Sequence, residues 1–130
     1  MTPQQEPYVQ PTEQLVVELF VRDMEQSIAF YRKLGFELVR GDDTFAEMVW
    51  EENLFFLDAT RTPPEVTRPA ANVRVMVPDV DAYWEKAMGL KASIIWPIGD
   101  RDYGLRDFAM MDPNGFGIRF ATRLDDRTER

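Results

Sequence analysis

From Gln14 onward the chain alternates apolar runs of strand length with stretches of helical period, in an order that occurs twice. "QLVVELFV", Gln14–Val21, is β-branched and aromatic and predicts a strand. It ends at Asp23, which can cap a helix, with Gln26 three residues on in capping-box position. In "MEQSIAFYRKLG" the residues Met24, Ile28, Tyr31 and Leu34 share one face, and Gly35 suits a left-handed cap. Three short strands are predicted next, at Phe36–Arg40, Phe45–Trp50 and Leu54–Ala59, separated by the turn-like "GDDT" and "EEN". A proline-rich connection, Thr60–Ala70, leads into the same series. Asn72–Val77 is a strand, Asp79 caps a helix that Gly89 ends, and "ASIIWP", "RDFAMM" and "GIRFAT" complete the set.

The unit is βαβββ, and an offset of 56 residues lays "FVRDM" on "MVPDV", which points to internal duplication. The predicted organisation is a single domain over 14–124, with modules at about 14–60 and 71–124. Residues 1–13 are polar, carry three prolines and read as a mobile arm that a partner chain could order; 125–130 form a polar tail. Strand alternation divides the first strand into Leu15, Val17, Leu19 and Val21 against the helices, and Val16, Glu18 and Phe20 on the other face. The second module divides into Val73, Val75 and Val77 against Asn72, Arg74 and Met76. On the second helix, one of Tyr83 and Trp84 is expected to face the sheet.

Composition then narrows the chemistry. The chain has 130 residues, enough for one domain with a core, and contains neither cysteine nor histidine. Disulfides, thiolate chemistry and imidazole ligands are thereby excluded, and acid–base work falls to Asp, Glu, Lys or Tyr. A formal charge of −8 opposes nucleic acid and anionic membranes. No apolar run reaches the roughly 18 residues of a membrane span, and no signal peptide is evident, so the expected location is cytoplasmic. Phosphate-loop and dinucleotide motifs are missing.

Two motifs carry a resemblance. Asp23, Ser27, Phe30, Tyr31, Leu34, Gly35 and Phe36 mark the first helix, and Phe108, Asp112, Pro113 and Gly115 the last hairpin. In these the chain resembles the glyoxalase, bleomycin-resistance and extradiol-dioxygenase superfamily, the vicinal-oxygen-chelate fold. The resemblance implies an α+β fold in which two tandem βαβββ modules form curved mixed sheets around a cavity. Metal-dependent members place His or Glu at four equivalent points, which here fall on Val16, Phe56, Asn72 and Arg119. None is a usual ligand, and a guanidinium repels a divalent cation, so neither metal nor other cofactor is expected.

The implied function is that of the bleomycin-resistance branch: a homodimer that captures a small aromatic or cationic compound without metal or turnover. The candidate ligand-binding residues are Val16, Glu18, Phe20, Trp50, Phe56, Asn72, Arg74, Trp96, Tyr103 and Arg119. Glu18, Arg74 and Arg119 read equally as an ion cluster holding the modules in register. Two alternatives remain at this stage: a metal-free lyase or isomerase with Glu18 as base and an arginine on the oxyanion, and a small-ligand sensor.

Overall fold

A computed structural model describes residues 6–127, and the chain divides into two compact units, one ending at Thr62 and the other beginning at Pro63. In the first, α1 (Pro11–Gln14) precedes β1 (Val17–Phe20), α2 (Met24–Leu34), β2 (Glu37–Gly41), β3 (Phe45–Trp50) and β4 (Asn53–Asp58). The sheet order is β1-β4-β3-β2, with β1 parallel to β4 and the other pairs antiparallel.

Helix α2 begins where the sequence predicts. The Asp23 carboxylate accepts the Gln26 N–H at 3.0 Å, satisfying a donor that the first helical turn leaves unpaired. It ends at Gly35, whose φ of 119° is open to glycine at little cost. Its buried face is Met24, Ser27, Tyr31 and Leu34, packed over Leu19, Ala46, Met48, Phe55 and Leu57. Tyr31 is fully buried, with ring centroids of Phe55 and Phe36 at 5.0 and 5.2 Å. The expected core position Ile28 is only half-buried, because the helix is turned to seat Ser27 instead. Another correction concerns β1. Pro11 starts a helical turn that lies against β4, so the part of the expected arm nearest the domain is helical, and residues 1–5 lie outside the described residues. The strand therefore starts only at Val17, and Leu15, expected against the helices, is 93% exposed. Val17 also remains partly exposed, while Leu19 and Val21 are buried as expected.

The second unit repeats the architecture. It runs β5 (Asn72–Met76), α3 (Val80–Gly89), β6 (Ser93–Asp100), β7 (Leu105–Met111), β8 (Gly117–Arg123) and a terminal turn α4 (Leu124–Arg127), in sheet order β5-β8-β7-β6. Both helix ends of α3 differ from expectation. Asp79 occupies the cap position without a side-chain capping bond, and the Val80 N–H donates to Thr122 Oγ1 at 2.8 Å. That hydroxyl in turn donates to the Val77 carbonyl at 2.7 Å, tying β5, α3 and β8 together. At the other end the left-handed residue is Lys91, φ 56°, while Gly89 is the last helical residue. Tyr83 and Trp84 both face the sheet, Tyr83 stacked on Phe120 at 4.8 Å and Trp84 edge-on to Phe108 at 5.1 Å.

The "DPNG" turn fixes the start of β8. Asp112 Oδ1 accepts the N–H groups of Asn114 and Phe116, both at 2.8 Å, and Gly115 takes φ 92°. Each sheet thus has one face under its helix and one face, here called open, that its helix does not cover, although Asp107, Ala109 and Ala121 on that face of the second sheet are buried. No helix among the described residues is long and apolar enough to cross a membrane.

Candidate functional site

Register decides which side chains share the open faces. In the first unit Glu18 pairs with Phe56, Phe20 with Asp58, Phe45 with Asp58 and Glu47 with Phe56. Because residues paired across neighbouring strands point the same way, these six alternate carboxylate and ring across one surface. The Phe45 and Phe56 rings lie 5.2 Å apart, and Arg61 lies 5.5 Å over the ring of Phe20. Glu47 is paired with Arg40 at 3.2 Å. A hydrogen bond with Asp58 raises the pKa of Glu18, helped by desolvation and the Asp58 charge and opposed by Arg61. Asp58 itself is held low, chiefly by hydrogen bonds from the Thr60 hydroxyl and N–H at 2.6 and 2.7 Å. The two carboxyls are thus shifted in opposite directions, Glu18 up and Asp58 down.

Val16 lies just ahead of β1 and is half-buried. Trp50 does not join this group. Its ring packs on Phe36 at 5.1 Å and closes over Gly35, on the helix-covered face with Ala46 and Met48, because it lies an even number of residues from both.

In the second unit one row crosses the open face: Arg74 pairs with Arg119, Arg119 with Ala109 and Ala109 with Trp96. Asn72 precedes it beside Gly117. In the next row of the same face, two residues along β7 from Ala109, is the fully buried Asp107. Arg119 donates to its Oδ2 from Nε and Nη2 at 3.0 and 2.9 Å, Tyr103 donates to the same oxygen at 2.7 Å, and Arg101 Nε reaches Oδ1 at 2.8 Å. Arg119 also lies 5.5 Å over the Tyr103 ring. Burial works to raise the Asp107 pKa, but the bonds from Arg101, Tyr103 and Arg119 outweigh it and hold the carboxyl below its ordinary value. Tyr103 is raised, by desolvation and by donating to Asp107.

Within each unit a further carboxylate joins the expected residues: Asp107 binds Arg119 in the second, and Asp58 is the neighbour of Glu18 in the first. Asp107 was legible in principle. In "LRDFAMM" it shares a strand phase with Ala109, the neighbour of Arg119, yet the apolar run that follows reads as plain core.

The parallel registers equate Glu18 with Arg74 and Phe56 with Arg119, as the duplication implies. The positions that the family resemblance implies for metal ligands are Val16, Phe56, Asn72 and Arg119, and Arg119 is bound to a carboxylate. Two apolar side chains, an amide and a guanidinium do not fit a divalent cation. The chain has no His or Cys, and among the described residues no three acidic side chains gather as a metal site.

Comparison with known proteins agrees with this architecture. TioX from Micromonospora sp. ML1 is 26% identical and superposes with a TM-score of 0.68, covering 85% of this chain and 98% of that one. A bleomycin resistance determinant encoded on the transposon Tn5 is 18% identical, with a TM-score of 0.67 over 86% and 98% of the two chains. A glyoxalase/bleomycin resistance protein/dioxygenase from Nocardioides gives 20% identity and a TM-score of 0.70, covering 95% and 87%. Among curated proteins none matches this chain. The sequence pattern of one family matches residues 14–120, nearly the whole duplicated region, and with it the repeated βαβββ units place the chain: it belongs to the glyoxalase/bleomycin resistance protein/dioxygenase superfamily.

Proposed function

We propose that this protein binds and sequesters a small aromatic or cationic compound without a metal and without turning it over. The observation that carries the reading is Arg119, which occupies a ligand position of the metal-using relatives and is committed to Asp107. What remains on the open faces is binding chemistry. Phe20, Phe45 and Phe56 offer ring surface among Glu18, Glu47 and Asp58, which suits an aromatic cation, and Trp96 and Tyr103 offer ring surface in the second unit. The likeness to a bleomycin resistance determinant supports the fold of this reading. The protein acts as a cytoplasmic homodimer in this account, its 14–124 region being the functional domain.

Thermal shift across aromatic and cationic small molecules is the test, since a ligand specific for the native state at 100 times its dissociation constant adds about 2.7 kcal/mol of apparent stability. A panel without any shift overturns the reading. A second reading, Glu18 as general base, is favoured by its raised pKa. Glu18→Gln separates the two: capture of an aromatic ligand survives it, whereas turnover by a carboxylate base is abolished.

A further inference from the structure

The two open faces carry opposite charge, and in the second unit the sign runs against that of the chain. The whole protein has a net charge of −8. Yet the row across β5, β8, β7 and β6 brings Arg74 beside Arg119, with Arg101 close by, and the one carboxylate bound there is the buried Asp107. Three guanidinium groups against one carboxylate leave a surplus of two positive charges.

Arg74 and Arg119 are register partners on adjacent parallel strands, about 4.8 Å apart along the sheet. Like charges placed opposite one another destabilise a sheet unless something is held between them. Asp107 answers this for Arg119, whose Nε and Nη2 it occupies. For Arg74 nothing does: it is exposed and makes no hydrogen bond or ion pair among the described residues, and Arg119 Nη1 is uncommitted there as well. At the other end of the row is the half-buried ring of Trp96, with the small, buried Ala109 between it and Arg119 in register. Two strand spacings, about 9.6 Å, separate the Trp96 and Arg119 strands, within reach of a two-ring aromatic acid.

We infer that this face binds the anionic group, a carboxylate, sulfonate or phosphate, of an aromatic compound, with Arg74 and Arg119 on the anion and Trp96 under the ring. The inference rests on the open faces being ligand surfaces and assigns the second unit's face a ligand charge opposite to that of the first. Asp107 has a positioning role here, fixing the Arg119 plane so that its free edge points to ligand.

The test is calorimetric titration of the full-length protein at low salt with 2-naphthoate, the neutral 2-naphthylmethanol and the cation 2-naphthylmethylammonium. Naphthoate is expected to bind about tenfold more tightly than the alcohol, since bonds to a charged group are roughly twice as strong as neutral ones, and to lose that advantage as salt rises. Arg74→Gln, at an exposed position, should bring the two affinities within about twofold by lowering naphthoate alone, and Arg74→Lys should restore part of the gap. Equal binding of acid and alcohol, or a ratio unchanged in Arg74→Gln, overturns the inference. If the cation binds and naphthoate does not, the anion site fails while capture of aromatic compounds stands; if none of the three binds, both fail.

Discussion

Asp107→Asn tests the part of the account on which the second unit's open face depends. The carboxylate is fully buried, and it receives two bonds from Arg119, one from Arg101 and one from Tyr103. Breaking a buried ion pair by removing one partner costs about 3–5 kcal/mol, because the other charge is left without compensation. The Arg101 and Arg119 side chains retain 27% and 20% exposure, so water relieves part of the loss and the lower end, about 3 kcal/mol, applies. For a chain of this length that is a fall in melting temperature of roughly 10 °C. The pH dependence adds a second readout. Since the folded-state pKa of Asp107 lies below its ordinary value, its stabilisation is complete above about pH 4, the unfolded value, and is lost as pH falls through the folded one. Guanidinium unfolding should therefore show the largest gap between wild type and variant near pH 7 and a shrinking gap below pH 4. A variant within about 0.5 kcal/mol of wild type at pH 7, or a gap that persists undiminished to pH 3, would refute the reasoning.

Other consequences can be checked with the same unfolding assay. Lys91→Gly should stabilise the protein by about 1 kcal/mol, since a left-handed backbone is costly for a residue with a Cβ, and Gly89→Ala by about 0.5–1 kcal/mol, since its Cβ meets nothing and its φ is not positive. A loss of stability in either contradicts the described helix end. Gly115→Ala should destabilise, because φ is 92° and the added methyl would strike Val66 Cγ2; stability equal to wild type would contradict that turn. Glu18→Gln should leave stability equal or greater at pH 7. The folded pKa of Glu18 is raised, so its favourable contribution exists below about pH 4.3 and is lost as pH rises through the folded value. Destabilisation at pH 7 that vanishes at pH 4 would reverse that sign.

Much of the fold is legible because local and long-range signals agree. Asp23, the face of Tyr31 and Leu34, Gly35 and the Asp112 turn each have one physical solution, and duplication supplies the topology twice. Where expectation and structure part, a local rule yields to a tertiary one. Asp79 has capping chemistry, but a threonine from β8, 42 residues distant in sequence, takes the bond. Gly89 looks like a cap, yet the helix keeps it and turns at Lys91. At the candidate site the alternation of β1 and β5 places Glu18, Phe20, Asn72 and Arg74, whereas Trp50 has the composition of a ligand platform and the phase of core. The carboxylate partner Asp58 depends on register between β1 and β4, strands distant in sequence, whereas Asp107 was legible from the phase of β7 but hidden by the apolar run that follows it.

The central claim is that the duplicated fold binds ligand on faces where metal-using relatives hold a metal. Its most direct test is the melting temperature with a saturating aromatic ligand, measured once in chelator and once with added Mn²⁺, Ni²⁺ or Zn²⁺. The account predicts the same ligand-induced rise in both, and no rise from metal alone. A rise that requires metal, or tight binding of one metal ion per site, would contradict it.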